Sequence, residues 1–187
     1  MKTNTTVCAI VATGPYDIIG QGGRMPWYSC KDFYHFKTVT TPYPCIFGKS
    51  TYMSLPKRPL PMRLNIVCSS QYKNEFVDSV FYADSVESAI AQCKNYDYVF
   101  ICGGYQIYKY VLFHDLIDVL YLTKIYDEDL ASNARGNIQD YIRFPCNTDT
   151  FLYSNRWVAK KMIYPPNILP IEYSDVKTEF FKCIRAR

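Results

Sequence analysis

Short apolar runs alternate along this chain with segments of helical spacing, and this alternation restricts the fold more than any other feature. The runs are Val7–Ala12, Cys45–Phe47, Leu64–Cys68, Val80–Tyr82, Tyr98–Cys102 and Val119–Thr123. Runs this short and apolar are typical of strands buried on both faces. The pattern predicts an α/β fold with a mostly parallel, twisted sheet of about eight strands, including a C-terminal antiparallel hairpin.

Four segments between the runs have helical spacing and predict about four flanking helices. They are residues 29–40, 49–55, 84–93 and 105–113. In the third segment, either Ser85 with Ser88 or Asp84 with Glu87 forms the N-terminal cap. The last apolar segment, Thr178–Ile184, belongs to the predicted hairpin.

Length and composition place the chain among ordinary globular proteins. It has 187 residues, 49% hydrophobic and 20% charged, so it can bury a core as one domain over residues 1–187. The net charge of +4 is small and the basic residues are scattered, which argues against a nucleic-acid partner. Apolar runs stay well below the roughly 18 residues that a membrane span needs, so no membrane association is expected.

The eight cysteines favour a reduced protein over a disulfide-bonded one. Several lie inside apolar runs, among them Cys8, Cys68 and Cys102, where a thiol behaves as a small hydrophobic group. The first residues are polar and lack the pattern of a secretory signal, so we expect a cytoplasmic protein. No Cys-x-x-Cys pair occurs and the two histidines are far apart, so no metal site is expected.

Two of the apolar runs end in glycines that lead into helices, and both turns are candidate anion sites. Gly103–Gly104 follows one run and Gly48–Thr51 follows another. Ligands of parallel sheets bind at the carboxyl ends of the strands, and backbone amides at a helix start attract phosphates. Two such turns suit a ligand with several phosphates, such as a dinucleotide, although two ordinary capped helices explain the pattern equally well.

Asp32 is the candidate carboxylate of a ligand pocket. It lies one helical turn from Phe36 and next to Phe33, with Ser29 as the predicted N-cap of their helix. A carboxylate against aromatic rings can hold a cationic or amidine-like group. The alternative is a first-turn Asp that only stabilises the helix dipole.

The cations and imidazoles are more ambiguous. Arg58 and Arg63 flank the Pro-rich turn Pro59–Pro61, where each either clamps a carboxylate or remains a solvated cation. His35 and His114 have no serine or cysteine partner in a recognisable motif, so we interpret both as surface or structural residues.

In this order and at this spacing, the segments resemble the dihydrofolate reductase family over nearly the whole chain. The motifs are Ile10–Val11–Ala12, Ile19–Gly20 leading to Met25–Pro26–Trp27, Asp32 with Phe36, Phe47–Tyr52, Arg58–Pro61 with Arg63, Asn65–Ser70, Gly103–Gly104 with Tyr108, and Leu120–Thr123. Each motif alone is weak, but the ordered series is specific. The resemblance implies reduction of 7,8-dihydrofolate to tetrahydrofolate by hydride transfer from NADPH to pterin C6, in the monofunctional form because no thymidylate synthase segment follows.

The resemblance also implies a substrate site. Asp32 would hydrogen-bond the pterin with support from Thr123, and these two are the implied catalytic residues. The loop Gly20–Trp27 would act as a lid that controls water access to pterin N5. Arg63 would hold the α-carboxylate of the substrate's glutamate. The other implied substrate-binding residues are Ile10, Val11, Ala12, Phe33, Phe36, Ser54, Leu55, Leu60, Cys102 and Tyr108.

For NADPH, the resemblance implies a phosphate-binding surface with an adenosine-binding part at about residues 45–100. The Gly103–Gly104 turn, whose peptide is cis in the family, would take the pyrophosphate together with Lys49–Thr51. A cation and hydroxyls around the adenosine 2′-phosphate, at Lys49, Ser50, Ser70 and Gln71, would favour NADPH over NADH. The other implied cofactor-binding residues are Ala12, Ile19, Gly20, Gly23, Arg24, Met25, Gly48, Cys68, Ser69, Cys102, Tyr105, Gln106, Ile107 and Tyr108.

Several positions depart from the family pattern. Cys102 stands where the family usually has Ile or Val, which bears on antifolate affinity. Tyr105 replaces a small residue and Gln106 one that is often basic, which bears on cofactor affinity. Residues 127–143 are longer than usual, and the acidic residue expected near their end is not cleanly placed, with Asp140 the nearest.

Two other functions stay open at this point. A pteridine or riboflavin-pathway reductase of the same fold would keep the NADPH site but would not need Met25–Trp27 with Asp32. A non-catalytic binding module would be expected to lack Asp32, Thr123 or the glycine pair, and all are present. The expected partners are dihydrofolate and antifolate inhibitors, bound to a monomer.

Overall fold

The computed structural model describes residues 5–71, 74–164 and 176–186. Their strands are β1 (Thr6–Thr13), β2 (Ile18–Gly20), β3 (Cys45–Gly48), β4 (Asn65–Cys68), β5 (Glu75–Val77), β6 (Val80–Ala83), β7 (Tyr98–Ile101), β8 (Val119–Tyr126), β9 (Ile142–Arg143), β10 (Trp157–Met162) and β11 (Lys177–Arg185). Their α-helices are α1 (Cys30–Thr40), α2 (Lys49–Ser54), α3 (Val86–Ala91), α4 (Tyr105–Phe113), α5 (Glu128–Gly136) and α6 (Asp149–Tyr153). Each of these helices is too short or too polar to cross a membrane.

Nine strands form one mixed sheet, in the order β10–β11–β8–β1–β7–β3–β4–β6–β5, and β2 pairs with β9 in a separate two-stranded sheet. The pairs β1–β7, β7–β3, β3–β4 and β4–β6 are parallel. The pairs β5–β6 and β10–β11 are antiparallel. The predicted α/β class, with a parallel centre and a C-terminal antiparallel hairpin, is therefore confirmed.

The chain divides into two compact units, and β1 passes from the first into the second. The first unit comprises Met1–Ile10 and Val39–Val119, and the second comprises Val11–Thr38 and Leu120–Arg187. Large side chains that are fully buried in the first unit include Ile46, Phe47, Ile66, Phe100 and Ile101. Those of the second unit include Ile18, His35, Leu120 and Leu122.

Side-chain caps explain where two of the helices begin. The Ser29 hydroxyl accepts a hydrogen bond from the Asp32 amide at 3.1 Å, which confirms the predicted N-cap. The Ser85 hydroxyl accepts one from the Ser88 amide at 3.1 Å. Of the two caps open to the third helix, the structure therefore contains the one at Ser85 rather than the one at Asp84.

Several short elements were not predicted. The prediction of about four helices missed α5 and α6, which lie between the last predicted central strand and the predicted hairpin segment Thr178–Ile184. In α5 only Leu130 and Ala134 are buried, and α6 has five residues, so neither leaves a clear helical period in the sequence. The strand β5 is exposed along its whole length, so its residues lack the apolar signal of a buried strand.

All eight cysteines, each within the described residues, are free thiols. Five of them are buried: Cys8, Cys45, Cys93, Cys102 and Cys183. Burial raises the pKa of both the Cys93 and the Cys183 thiol to about 12, so these groups stay protonated and pack as small hydrophobic side chains.

Candidate active site

The implied site residues are divided between the two compact units. The first unit carries Ile10, Gly48, Lys49, Ser50, Thr51, Ser54, Leu55, Leu60, Arg63, Cys68, Ser69, Ser70, Gln71, Cys102, Gly103, Gly104, Tyr105, Gln106, Ile107 and Tyr108. The second unit carries Val11, Ala12, Ile19, Gly20, Gly23, Arg24, Met25, Asp32, Phe33, Phe36 and Thr123. Each set has its own geometry.

In the first unit, the two glycine turns lie against each other. The Gly48 amide donates to the Gly103 carbonyl at 2.7 Å, which joins the end of β3 to the end of β7. A Cβ built on Gly104 would lie 2.6 Å from the Thr51 hydroxyl, closer than real Cβ contacts allow. The starts of α2 and α4 therefore approach closely at Gly104 and Thr51, and glycine leaves room for this approach.

Tyr108 supports this turn from beneath. Gly103 has a φ of +97°, and a Cβ there would lie 3.0 Å from the Tyr108 ring, so both its conformation and the lack of space require glycine. The Tyr108 hydroxyl donates to the Ile10 carbonyl at 2.6 Å and fixes α4 to β1. The Gly103–Gly104 peptide is cis, which confirms that prediction.

The residues implied for the adenosine 2′-phosphate leave the sheet side by side. Gly48 on β3 is the register partner of Cys68 on β4, so the segments that follow these two residues are neighbours. The Lys49 ammonium donates to the Gln71 side-chain oxygen, and Ser50 and Ser70 are exposed. The result is a solvent-facing cluster of one cation, two hydroxyls and one amide.

The two arginines that the sequence left ambiguous have different contacts. Arg58 donates to the carbonyls of Met53 and Leu55, so it closes the C-terminal end of α2 and acts as a structural residue. Arg63 is half-buried, and its guanidinium donates to the Thr40 hydroxyl at 2.8 Å and to the Pro61 carbonyl at 3.1 Å. These bonds hold the Arg63 guanidinium in a defined orientation.

Other implied residues of the first unit have mainly local contacts. Ser54 is exposed, and its hydroxyl donates to the Thr51 carbonyl within α2. The side chains of Tyr105 and Gln106 face solvent at the start of α4. Burial raises the pKa of the Cys102 thiol well above its usual range, so this departure from the family pattern presents a small neutral group.

In the second unit, Asp32 and Thr123 lie on facing surfaces of α1 and β8. Along α1 and the segment before it, the order is Trp27, Asp32, His35. Along one face of β8, the order of alternate residues is Ile125, Thr123, Tyr121, because side chains on a strand alternate between its faces.

Contacts at the two ends of these two residue series show how the series on α1 aligns with the series on β8. Trp27 shares a buried cluster with Ile125, and the His35 ring lies 6.3 Å from the Tyr121 ring. The residues between these contacts therefore face each other. Asp32 is 8% exposed and Thr123 is fully buried, so the carboxylate and the hydroxyl are both largely excluded from water.

Two buried polar atoms of the second unit, on residues from these two series, lack a hydrogen-bond partner among the described residues. They are Oγ1 of Thr123 and Nε1 of Trp27. A buried donor or acceptor without a partner costs about 1–3 kcal/mol, so such atoms mark a place where a polar ligand would be stabilised. The sequence identified Thr123 through the family resemblance, but the Trp27 N–H emerges only from the structure.

His35, interpreted from sequence as surface or structural, is a fully buried structural residue. Its Nδ1 lies 2.6 Å from the Tyr164 hydroxyl, and the rings of Phe180, Tyr164 and Tyr121 surround it at 4.6, 5.6 and 6.3 Å. Burial lowers the pKa of His35 to about 4. The imidazole is therefore neutral at physiological pH and supports the inner face of α1 behind Asp32.

We expect His35 to make the fold sensitive to acid. Its pKa in the folded protein lies below that of an unfolded histidine, so its contribution to stability is complete above about pH 6.5 and falls as the pH decreases toward about 4. Between pH 7 and pH 5 this residue alone should lower the free energy of unfolding by about 2 kcal/mol. Urea denaturation of the wild type and His35→Gln across this range measures the difference. His114→Gln, at an exposed position, is the matched control, and equal pH dependence in wild type and His35→Gln would contradict the expectation.

The lid, residues Gly20–Trp27, begins as a tight hairpin rather than an open loop. Gln21 and Arg24 exchange two backbone hydrogen bonds of 2.8 and 3.0 Å around Gly22 and Gly23, both of which have positive φ. No atom lies within 4 Å of a Cβ built on either glycine, so the crown of the hairpin projects into open space.

An acidic residue does connect the base of the lid to the segment after β9, but it is not Asp140. Asp140 is exposed. Asp17, immediately before β2, accepts a hydrogen bond from the Thr148 hydroxyl, and its carbonyl accepts one from the Phe144 amide at 2.7 Å. Lys124 lies 3.7 Å from the same carboxylate and donates to Thr148, so the connection is a small charged network.

Comparison with known proteins gives a consistent family. The dihydrofolate reductase family model matches residues 6–146 of this chain. A curated dihydrofolate reductase from Candida albicans is 33% identical over 159 residues, which cover 80% of this chain and 81% of the relative. One from Haemophilus influenzae is 38% identical over 123 residues, which cover 66% of this chain and 74% of the relative. A solved dihydrofolate reductase from Enterococcus faecalis, complexed with NADP(H) and RAB-propyl, matches with a TM-score of 0.71 at 24% identity over 97% of both chains, a likeness of fold.

Proposed function

The chain belongs to the dihydrofolate reductase family, and we propose that it reduces 7,8-dihydrofolate to 5,6,7,8-tetrahydrofolate with NADPH, supplying tetrahydrofolate for one-carbon metabolism. The main structural support for this proposal is the pair of Asp32 on α1 and Thr123 on β8. The carboxylate is nearly buried, and the hydroxyl has no partner among the described residues. A pterin presents an amino group and a ring N–H on one edge, which a buried carboxylate can accept together.

Asp32 acts on the reaction through its charge and its hydrogen bonds. Its carboxylate accepts from the pterin's 2-amino group and ring nitrogen, and its negative charge stabilises the protonated pterin. Thr123 orients this contact through its hydroxyl. The Trp27 N–H, which is buried in the same unit without a partner among the described residues, is a further donor for the ligand or a bound water. The lid limits the access of water to N5.

The first unit fits a phosphate-bearing cofactor. Its two glycine turns lie against each other at the starts of α2 and α4, with no room for a Cβ at Gly104, and backbone amides at helix starts attract phosphates. NADPH supplies the hydride when bound. The pyrophosphate is assigned to this surface, and the adenosine 2′-phosphate to the cluster of Lys49, Ser50, Ser70 and Gln71, whose cation and hydroxyls favour NADPH over NADH.

Arg63 is proposed to bind the glutamate α-carboxylate of the substrate. Its bonds to Thr40 and Pro61 orient the guanidinium before a ligand arrives, which lowers the entropic cost of binding. Arg58 is not assigned this role, because its guanidinium donates to backbone carbonyls at the C-terminal end of α2.

Three broader features belong to the same proposal. The protein is a single domain whose adenosine-binding part is at about residues 45–100, it acts as a monomer, and it is cytoplasmic. Free thiols at all eight cysteines support a reducing compartment. Size-exclusion chromatography with light scattering tests the monomer.

The experiment that tests the function follows NADPH oxidation after addition of dihydrofolate. Parallel reactions replace NADPH by NADH, or dihydrofolate by the substrate of the riboflavin-pathway reductase. Faster oxidation with NADPH and dihydrofolate than with either replacement is the expected result. Turnover of the riboflavin-pathway substrate alone would make the chain a different reductase, and binding of dihydrofolate without turnover would make it a binding module.

A further inference from the structure

The helix α5, in the segment that is longer than the family pattern, packs against both ends of the lid. Leu130 and Ala134, one turn apart, are buried in one apolar cluster with Ile18 and Trp27. Ile18 lies two residues before the lid and Trp27 is its last residue. The rest of α5 is mostly exposed, so this cluster is the main apolar contact of the helix.

Leu130 and the six-membered ring of the Trp27 indole both pack next to Gly14. A Cβ built on Gly14 would lie 3.0 Å from Cδ2 of Leu130 and 3.0 Å from Cζ3 of Trp27. The leucine methyl and the six-membered ring therefore both lie over the Gly14 backbone, within one buried cluster. The ring can shift toward α5 only if Leu130 moves away, because both are packed and nearly fully buried.

The position of Leu130 is itself fixed by a cap. The Asp127 carboxylate accepts a hydrogen bond from the Leu130 amide at 2.8 Å, which holds this residue in the first turn of α5. Ala134 is fully buried, and its small side chain lets the helix approach the cluster closely. The helix thus presents one rigid apolar side chain to the indole.

We propose that Leu130 is a positioning residue for the reaction: it holds the Trp27 indole so that the buried Nε1–H stays directed toward the ligand. This inference rests on the proposed function, since the ligand is the pterin. The segment that contains α5 has a defined role in this proposal, because it supplies an apolar contact to the lid from outside the lid.

The test uses Trp27 as its own reporter. The chain has two tryptophans, so a Trp157→Phe background leaves Trp27 as the only one. In this background, Leu130→Ala should raise the acrylamide quenching constant of Trp27 about twofold or more, because the cavity loosens the ring. It should lower kcat/KM for dihydrofolate about 10-fold while the KM for NADPH stays nearly constant, since misplacement by a fraction of an ångström is costly at a reacting site. Leu130→Met, which conserves volume, should restore both readouts.

Two further variants make the result decisive. Leu152→Ala on α6 makes the same change in the same unit outside the Trp27 cluster, and should leave quenching and kcat/KM near background values. Gly14→Ala pushes on the indole from the glycine side and should lower kcat/KM in a protein with an intact α5, even if Leu130→Ala fails to fold. The proposal is overturned if Leu152→Ala matches Leu130→Ala in both readouts, or if Gly14→Ala leaves both unchanged. If the parent protein does not turn over dihydrofolate, the proposed function fails, while the quenching comparison still decides whether Leu130 holds Trp27.

Discussion

Asp32→Asn is expected to lower turnover of dihydrofolate by roughly 10²- to 10⁴-fold at pH 7, the range for a positioned acid–base group. The amide keeps the shape of the side chain but loses the negative charge that stabilises a protonated pterin. The loss should shrink as the pH falls, because solvent then supplies the proton. Steady-state rates from about pH 9 to pH 6.5 measure this above the range in which protonation of His35 weakens the fold.

The control for this substitution is a carboxylate in the first turn of another helix. Asp129 lies in the first turn of α5 and is exposed, so Asp129→Asn removes the same charge without touching the pocket. If Asp32 only favoured the helix dipole, both variants would lose about 1 kcal/mol of stability or less and keep near-normal turnover. A folded Asp32→Asn protein with normal turnover at pH 7 would therefore end its catalytic assignment. NADPH affinity should change little, because the phosphates are assigned to other residues.

Gly104→Ala is expected to weaken NADPH binding by roughly 10- to 100-fold, the equivalent of one lost charge-assisted hydrogen bond. The new Cβ would lie 2.6 Å from the Thr51 hydroxyl, so either the Thr51 side chain must rotate or the start of α2 must shift. Both changes would disturb the surface to which the pyrophosphate is assigned. Fluorescence titration with NADPH measures the dissociation constant without requiring turnover.

Gly136→Ala is the matched control for Gly104→Ala. It adds the same methyl group at a glycine with no atom within 4 Å of the new Cβ, so it should leave NADPH binding unchanged. Thermal melting of both variants separates a local effect on the cofactor from a general loss of stability. Normal NADPH affinity in a folded Gly104→Ala protein would contradict the placement of the pyrophosphate at this turn.

The part of the site built from local sequence signals was predictable. The glycines at the ends of β3 and β7 lie directly after apolar runs, and Ser29 stands where a helix cap is expected. Asp32 follows in the first turn, and the sequence alone left its role open between a ligand contact and a dipole contact. Burial of the carboxylate opposite Thr123 favours the first, and no local pattern carries that information.

The sequence by itself determined the order of the buried strands and of the first four helices, the two glycine turns and the family, because these depend on apolar runs, caps and short motifs within a few residues. Only the tertiary structure decided which side chains meet across long separations. His35 became a buried neutral group because Tyr164 and Phe180 reach it from the far end of the chain. Trp27 lies in a buried cluster that includes Leu130 of α5, although most of the surface of α5 is polar. Such contacts depend on packing between segments that are distant in the sequence. Burial of apolar surface stabilises this packing, and the spacing of residues along the chain does not reveal it.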